Sequence, residues 1–221
     1  METYLPLLRG QALFRGMADG EVLRVLSCFH ARELRFDRAR TLRELAEPSR
    51  WVIVAAGGLR AQIDDARGNR TILGDFGPGD FLDSGVTGPR AGAPPFSFDV
   101  RAGTVLLLLD SQAAAEPCGD CCRAHLIFLR NVAQALARGE ALLLYKIDYL
   151  AKRSIREKIV SYLAIQTALQ GARKVNVPYS RQELADFLAV DRTAMCAELS
   201  RMQSDGVLRY ERKRFELLRE E

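Results

Sequence analysis

The chain has 221 residues, of which 48% are hydrophobic and 27% charged, and no apolar run approaches the roughly 20 residues that a membrane-spanning helix needs. Because its first residues also lack an export signal, we expect a cytoplasmic protein without membrane contacts, and its five cysteines do not indicate a disulfide framework. The net charge of +4 lies entirely beyond Tyr149, where 14 Lys/Arg accompany 10 Asp/Glu, and a basic C-terminal part favours a polyanionic partner.

A short helix is predicted near the N-terminus. Apolar residues recur at helical spacing within residues 13–29, and Asp19 is a candidate N-cap for the helix that they form. We expect this helix to cover the edge of the segment that follows.

Residues 33–110 have the pattern of many short strands. Glycine-containing turn signals punctuate the segment at 57–58, 67–69 and 77–79. The first signal, Gly57-Gly58, predicts a hairpin between two strands within 51–63. Short strands at this spacing predict a β-barrel or a double-sheet roll, and residues 87–95 are the candidate mobile loop.

A long helix is predicted from Arg123 onward. Apolar side chains follow the a/d positions of a heptad repeat, at Leu126, Leu129, Ala133, Leu136, Leu143, Ile147 and Leu150. Glu140 and Gly139 are the irregular positions. About 27 helical residues would extend roughly 40 Å. We interpret the apolar positions as a parallel dimer interface, and the alternative is a helix packed on its own domain.

Two short elements are predicted after the long helix. Ser154 and Glu157 form a capping box that opens a helix over 154–169. Residues 174–180 then form a short extended segment, which Pro178 interrupts.

The most specific pattern lies near the C-terminus. A capping box of Ser180 and Glu183 opens a first helix. After a tight turn at Ala189-Val190, Asp191 begins a second helix that ends at Gly206. Apolar residues fall where two crossed helices would face each other, which is the spacing of a helix-turn-helix.

The second helix of such a motif enters the major groove of DNA. Arg192 at its start can donate two hydrogen bonds to guanine, and Thr193 can contact a base edge or a thymine methyl group. Cys196 and Arg201 lie further along the same helix, and we include them among the candidate DNA contacts.

Other candidate residues would contact the phosphate backbone. Ser180, Arg181 and Gln182 lie at the start of the first helix, where side chains and backbone amides can hold phosphate. Residues after Gly206 predict a two-stranded hairpin, the wing, with Arg212 and Lys213 at its tip. The alternative interpretation is a three-helix core with a solvated basic face and no DNA activity.

These segments resemble the family of the cyclic-AMP receptor protein and the fumarate-nitrate regulator (Crp/Fnr) over almost the whole chain. The similar stretches are residues 13–26, 57–81, 155–163 and 177–208. The resemblance implies an α+β fold with three parts. They are a cyclic-nucleotide-binding-like β jelly roll at 1–122, a dimerisation helix at 123–150 and a winged helix-turn-helix DNA-binding domain at 151–221.

The resemblance also implies a function and partners. We expect a homodimeric transcription regulator that binds a near-palindromic site in double-stranded DNA, with RNA polymerase as a further candidate partner. A ligand-binding module without DNA activity is the alternative from another class. The chain contains no phosphate loop or recognisable nucleophile–base set, so we do not expect an enzyme.

The sequence departs from the family members that bind cyclic AMP. Those proteins carry Gly-Glu after the Phe of a Pro-Gly-Asp-Phe loop, whereas Leu82 and Asp83 follow Phe81 here. They also hold the cyclic phosphate with an arginine followed by small residues, whereas Arg90 lies in a Pro/Gly-rich loop. We therefore expect no physiological binding of cyclic AMP.

The sensing chemistry is left open between several alternatives. Cys118, Cys121 and Cys122 precede the long helix and His125 follows them, so thiol redox chemistry, a metal or cluster, and plain packing are all candidates. We assign no metal site. Haem bound by His30 or His125, and a small organic effector near Trp51, Phe76 and Phe81, are the further candidates.

Overall fold

The computed structural model describes residues 1–43, 50–65, 67–83, 96–115 and 123–219. The chain forms two compact units. The first comprises Met1–Gly68 with Leu73–Arg138, and the second comprises Asn69–Ile72 with Gly139–Glu221. None of the helices in these described residues combines the length and the apolarity that a bilayer crossing requires.

The first unit begins with two helices, α1 (Leu5–Arg9) and α2 (Asp19–Cys28). The predicted helix at 13–29 is therefore shorter than expected, because Gly16 takes a left-handed conformation (φ +82°) before it. Asp19 is not the N-cap but the first helical residue, and its carboxylate pairs with Arg9. Glu21 satisfies the helix start instead, by accepting the Ala18 N–H at 2.8 Å.

Within the described residues eight strands form two four-stranded sheets, which confirms the expectation of a double-sheet roll. One sheet has the order β1-β8-β3-β6 and the other β2-β7-β4-β5. The strands are β1 (Arg32–Phe36), β2 (Arg40–Leu42), β3 (Arg50–Ala56), β4 (Leu59–Asp64), β5 (Arg70–Phe76), β6 (Phe81–Asp83), β7 (Phe96–Val100) and β8 (Thr104–Asp110).

The predicted hairpin at Gly57-Gly58 is wrong. Strands β3 and β4 lie in different sheets, with β3 paired to β6 and β8 and β4 paired to β7. The glycines instead allow β8 to approach closely, because a Cβ on Gly57 would lie 2.6 Å from the Cα of Thr104. The Thr104 Oγ1 accepts the Gly58 N–H and donates to the Gly58 O, both at 3.0 Å.

Each sheet face of this unit has its own apolar core. Val52, Val54 and Leu106 pack between the sheets, while Trp51 and Ile53, which alternate with them on β3, face the helices. The long helix α3 (Arg123–Ala151) packs the side chains of its first turns, among them Phe128, against this second core. One side of α3 is thereby fixed to the sheet.

The second unit carries the C-terminal helices and a small sheet. The helices are α4 (Ile155–Gln170), α5 (Arg181–Leu188) and α6 (Arg192–Ser204). The strands are β9 (Lys174–Asn176), β10 (Leu208–Glu211) and β11 (Arg214–Leu217), in the order β10-β11-β9. Both predicted capping boxes are present, and Ser154 and Glu157 exchange hydrogen bonds of 3.1 and 2.9 Å at the start of α4.

Phe128 is the clearest test of the helix-side core. Its ring is fully buried against Phe14, Phe29 and Trp51, with ring centroids 5.0–6.1 Å apart. We expect Phe128→Ala to lower the free energy of unfolding by about 3–5 kcal/mol, measured by denaturant titration with fluorescence of Trp51, the single tryptophan. Arg130→Ala, on the exposed side of α3, should change it by less than about 0.5 kcal/mol. Similar losses in the two variants would contradict this packing.

Candidate nucleic-acid interface

Side-chain caps fix where both helices of the helix-turn-helix begin. The Ser180 Oγ accepts the Glu183 N–H at 3.3 Å, and Glu183 accepts the Ser180 N–H at 2.6 Å, so α5 begins as expected. Asp191 is the N-cap of α6 and accepts the Ala194 N–H at 2.7 Å. These caps satisfy amides that would otherwise lack partners at the helix starts.

The turn between the helices is tight and strained. Ala189 adopts a left-handed conformation (φ +51°, ψ +57°), which a residue with a Cβ rarely occupies. The Ala185 O accepts the N–H groups of both Ala189 and Val190, the second at 3.0 Å. The expected packing of the two helices is confirmed, since Ala185 and Leu188 of α5 share a buried cluster with Met195 of α6.

The face of α6 that points away from the core carries the predicted base-contacting residues. Arg192 and Thr193 are both exposed, and Cys196 is half-buried against the core. Arg201 is exposed, and a guanidinium nitrogen of its side chain lies 3.6 Å from a carboxylate oxygen of Glu198. Sequence reasoning missed Ala197, which shares the exposed face with Thr193 four residues earlier. The helical spacing alone could have identified it.

A salt-bridge network that the sequence did not suggest joins α4 to α6. The Arg156 Nε donates to Glu198 at 2.8 Å, and its second nitrogen pairs with Asp205 at the end of α6. These two hydrogen-bonded carboxylates raise the pKa of the Arg156 guanidinium above its ordinary value. Arg156 therefore fixes α6 at its middle and at its C-terminal end.

The residues predicted to hold phosphate have distinct environments. The Arg181 guanidinium lies over the rings of Tyr210 and Phe215, 4.7 and 4.8 Å from their centroids, so it is held against the wing strands. Ser180 is exposed but engaged in its cap, and the Gln182 amide donates to Asp186 at 2.8 Å.

The wing forms as predicted, but its two basic tip residues differ. Strands β10 and β11 pair antiparallel, with Arg212 exposed at the tip in a left-handed conformation (φ +52°). The Lys213 ammonium donates to the Pro178 O at 2.7 Å, and the Lys213 O accepts the Val177 N–H at 2.8 Å. Lys213 thus ties the wing to the preceding segment, whereas Arg212 points to solvent.

The heptad positions of α3, which we call the apolar strip, are mostly exposed within their own units. The strip consists of Leu126, Leu129, Ala133, Leu136, Leu143, Ile147 and Leu150. Leu136, Leu143 and Ile147 are 44%, 60% and 62% exposed. The opposite side of α3 is the buried one, at Phe128 in the first unit and at Tyr149 in the second. Contacts within the units therefore leave most of this strip exposed, and Leu129 and Leu150 are the members that pack half-buried against a core.

The candidate sensing residues are only partly described. Cys118, Cys121 and Cys122 lie outside the described residues, as does the loop at 87–95 with Arg90. His125 is buried beside Phe29, with its Nε2 3.4 Å from the Ala114 O. Within the parts of the chain that the structure covers, no group of three His, Cys, Asp or Glu could hold a metal ion.

The aromatic residues proposed for a small effector do not share one site. Trp51 and Phe81 lie 6.0 Å apart in the helix-side core, whereas Phe76 packs with the core between the sheets. His30, the second histidine considered for haem, is exposed. Trp51 and Phe81 therefore lie in a different core from Phe76, and the three residues do not line one effector site.

Comparisons with known proteins agree with this geometry. Residues 157–221 match the family described as the Crp-like helix-turn-helix domain. The transcriptional activator protein FnrL of Cereibacter sphaeroides is 26% identical over 182 residues, which are 74% of this chain and 65% of that protein. The match thus spans slightly under two thirds of FnrL.

Solved structures share the fold. A CooA mutant from Carboxydothermus hydrogenoformans matches with a TM-score of 0.67 at 18% identity, over 86% of this chain and 85% of that one. FixK2 from Bradyrhizobium japonicum matches with a TM-score of 0.56 at 18% identity, over 86% and 93%. The expected fold, an N-terminal sheet domain followed by a C-terminal helix-turn-helix, is therefore confirmed.

The strained turn at Ala189 can be tested by substitution. A β-branched residue is disfavoured in the left-handed region, so Ala189→Val should lower the free energy of unfolding of the second unit by about 1–2 kcal/mol. Ala189→Gly, which relieves the strain, should stay within about 1 kcal/mol of the parent chain. Denaturant titration followed by circular dichroism would measure both, and equal stabilities for the Val and Gly variants would contradict the left-handed turn.

Proposed function

We propose that this chain is a Crp/Fnr-type transcription regulator and that it binds a near-palindromic site in double-stranded DNA as a homodimer. We further propose that a signal other than cyclic AMP controls this binding. The observation that carries the proposal is the exposed face of α6, where Arg192 and Thr193 lie next to the capped N-terminus of the helix.

We assign the recognition of DNA bases to the first residues of α6. The major groove admits an α-helix, and the guanidinium of Arg192 offers the paired donors that guanine O6 and N7 accept. The methyl groups of Thr193 and Ala197 suit contact with a thymine methyl group, since both residues are exposed on the same face. Cys196 and Arg201 are secondary candidates, because one is half-buried and the other lies two turns further on.

Residues around the exposed face of α6 are candidates for contacts with DNA phosphates. Arg181 is held on the aromatic rings of the wing, and Arg212 extends into solvent at the wing tip, so both are candidate phosphate ligands. Lys213 contributes positive charge nearby but donates to Pro178, and we assign it a structural role. Ser180 and Gln182 would use their remaining hydrogen-bonding groups to contact the phosphate backbone of the DNA.

Dimerisation is supported by the apolar strip of α3. An uncovered row of leucine and isoleucine side chains with heptad spacing costs free energy in water, and pairing with the same strip of a second chain removes that cost. A two-fold dimer would place its two reading helices on half-sites about one DNA turn apart. RNA polymerase remains a proposed further partner.

The proposal that cyclic AMP is not the signal rests on the residues after Phe81. Leu82, Asp83 and Ser84 follow Phe81, so the Gly-Glu pair of the nucleotide-binding members is absent. Titration calorimetry with cyclic AMP should show no binding at micromolar concentrations, and micromolar binding would refute this part of the proposal.

The decisive experiment is selection of bound genomic fragments followed by sequencing. A regulator should enrich a two-fold related motif, and the alternative ligand-binding module should enrich none. Gel-shift titration of the enriched fragment against a scrambled fragment then measures specificity at a fixed salt concentration.

Two exposed arginines provide a matched pair for testing the assigned roles. Arg192→Ala should lose about 1–3 kcal/mol of discrimination between the selected site and a site with the contacted base changed. Arg212→Ala should weaken binding to all duplexes similarly and flatten the salt dependence, because phosphate contacts carry no base information. Both effects are measurable by fluorescence anisotropy across a salt series. Equal losses on specific and random DNA for Arg192→Ala would count against its role.

The apolar strip can be tested with a charge. Leu136→Glu places a carboxylate in the proposed interface, so we expect monomers by light scattering and poor binding to the selected site. Ala137→Glu adds the same charge one residue away, on an exposed position outside the strip, and should remain dimeric. An intact dimer for Leu136→Glu would place the interface elsewhere.

A further inference from the structure

A lysine lies in the apolar core of the second unit, beneath the end of α5. Lys146 is only 7% exposed, and its Nζ lies 3.7 Å from the centroid of the Phe187 ring. The ammonium donates to the Ile72 O at 2.5 Å and lies 3.5 Å from the Phe187 O. Burial lowers the pKa of Lys146 to about 8, so the side chain is still mostly charged at neutral pH.

The group that Lys146 contacts is the carbonyl end of the first helix of the motif. The last carbonyls of a helix lack intrahelical donors and carry the negative end of its dipole. Phe187 and Leu188 provide these carbonyls in α5, and a second lysine, Lys158, donates to the Leu188 O at 3.4 Å. The turn through Ala189 begins at the next residue.

Phe187 is held in place on its other sides by three tyrosines. Its ring stacks on Tyr179 at 4.7 Å between centroids, and it contacts Tyr162 and Tyr149 at 5.6 and 5.8 Å. Tyr149 lies on the same helix as Lys146, three residues later, so α3 contacts Phe187 through both a ring and a cation. The position of the α5 end is therefore tied closely to that of α3.

Stability alone does not account for a lysine at this position. Transfer of an ammonium into an apolar core is costly, and an unbranched apolar side chain of similar length would fill the same space without that cost. The ammonium adds directional hydrogen bonds that an apolar side chain could not make. It binds the backbone oxygens of Ile72 and Phe187, which belong to segments far apart in the chain.

We infer that Lys146 is a positioning residue for DNA recognition, which fixes the carbonyl end of α5 and, through the turn at Ala189-Val190, the orientation of α6. This inference rests on the proposed function for its DNA readout. It also predicts a property of the free protein, because the turn should become more mobile when the ammonium is removed.

The test compares Lys146→Met with Lys152→Met in the full chain. Methionine keeps the unbranched length and removes the buried charge, but it leaves the Ile72 and Phe187 oxygens without this donor, so we expect Lys146→Met to stay folded with only a small change in stability in denaturant titration. It should nevertheless bind the selected DNA site about tenfold more weakly, with an unchanged salt dependence, because Lys146 does not face phosphate. Lys152→Met removes the same charge from a partly exposed surface position and should leave the turn unaffected.

Amide hydrogen exchange without DNA supplies a readout that does not depend on DNA binding. The N–H groups of Ala189 and Val190 should exchange faster in Lys146→Met, by more than any change in global stability accounts for. Lys146→Arg retains the charge and should keep slow exchange in the turn if the pocket accommodates it. Parent-like exchange and affinity in Lys146→Met would overturn the inference, and so would a loss of affinity explained by reduced stability in both Lys146 variants. Absence of any sequence preference in the parent chain would instead refute the proposed function.

Discussion

The orientation of α6 relative to α5 depends on the tight turn that joins them, which is bonded to Ala185. This residue is fully buried, and its carbonyl accepts both N–H groups of the turn that follows. A larger side chain would separate the helices, and a change in the turn would rotate α6 about its capped start. The Arg156 salt bridges, the lysines beneath α5 and the tyrosines around Phe187 all stabilise this same arrangement from outside.

The long helix α3 shows how one element serves two packing surfaces. Its buried side is anchored by Phe128 in the first unit and by Tyr149 and Lys146 in the second. Most of the apolar strip lies on a different side of α3, and Leu129 and Leu150 are the strip residues that also pack against the cores. Gly139, at which the second unit begins, weakens the helix locally, because glycine costs about 1 kcal/mol in a helix interior.

The sequence predicted the C-terminal motif almost to the residue because its signals are local. Capping boxes, a two-residue turn and helical spacing each act within about four residues, and Ser180, Asp191 and Gly206 lie where expected. The predicted hairpin at Gly57-Gly58 is wrong because β3 and β4 pair with β8 and β7, which begin 46 and 38 residues after Gly58. The burial of Lys146 could not be predicted from the sequence, because a charged residue in a heptad pattern is normally assigned to the surface. Only the fold shows which carbonyls surround it.

The attachment of the wing bears on how the protein would meet DNA. Arg181 rests on Tyr210 and Phe215, and Lys213 is bonded to Pro178, so the hairpin is already immobilised against the first helix before any ligand arrives. A preorganised surface loses little conformational entropy on association. Encounter with a duplex would then resemble the docking of a rigid body, and its heat-capacity change would reflect buried surface alone, without a contribution from folding of the wing.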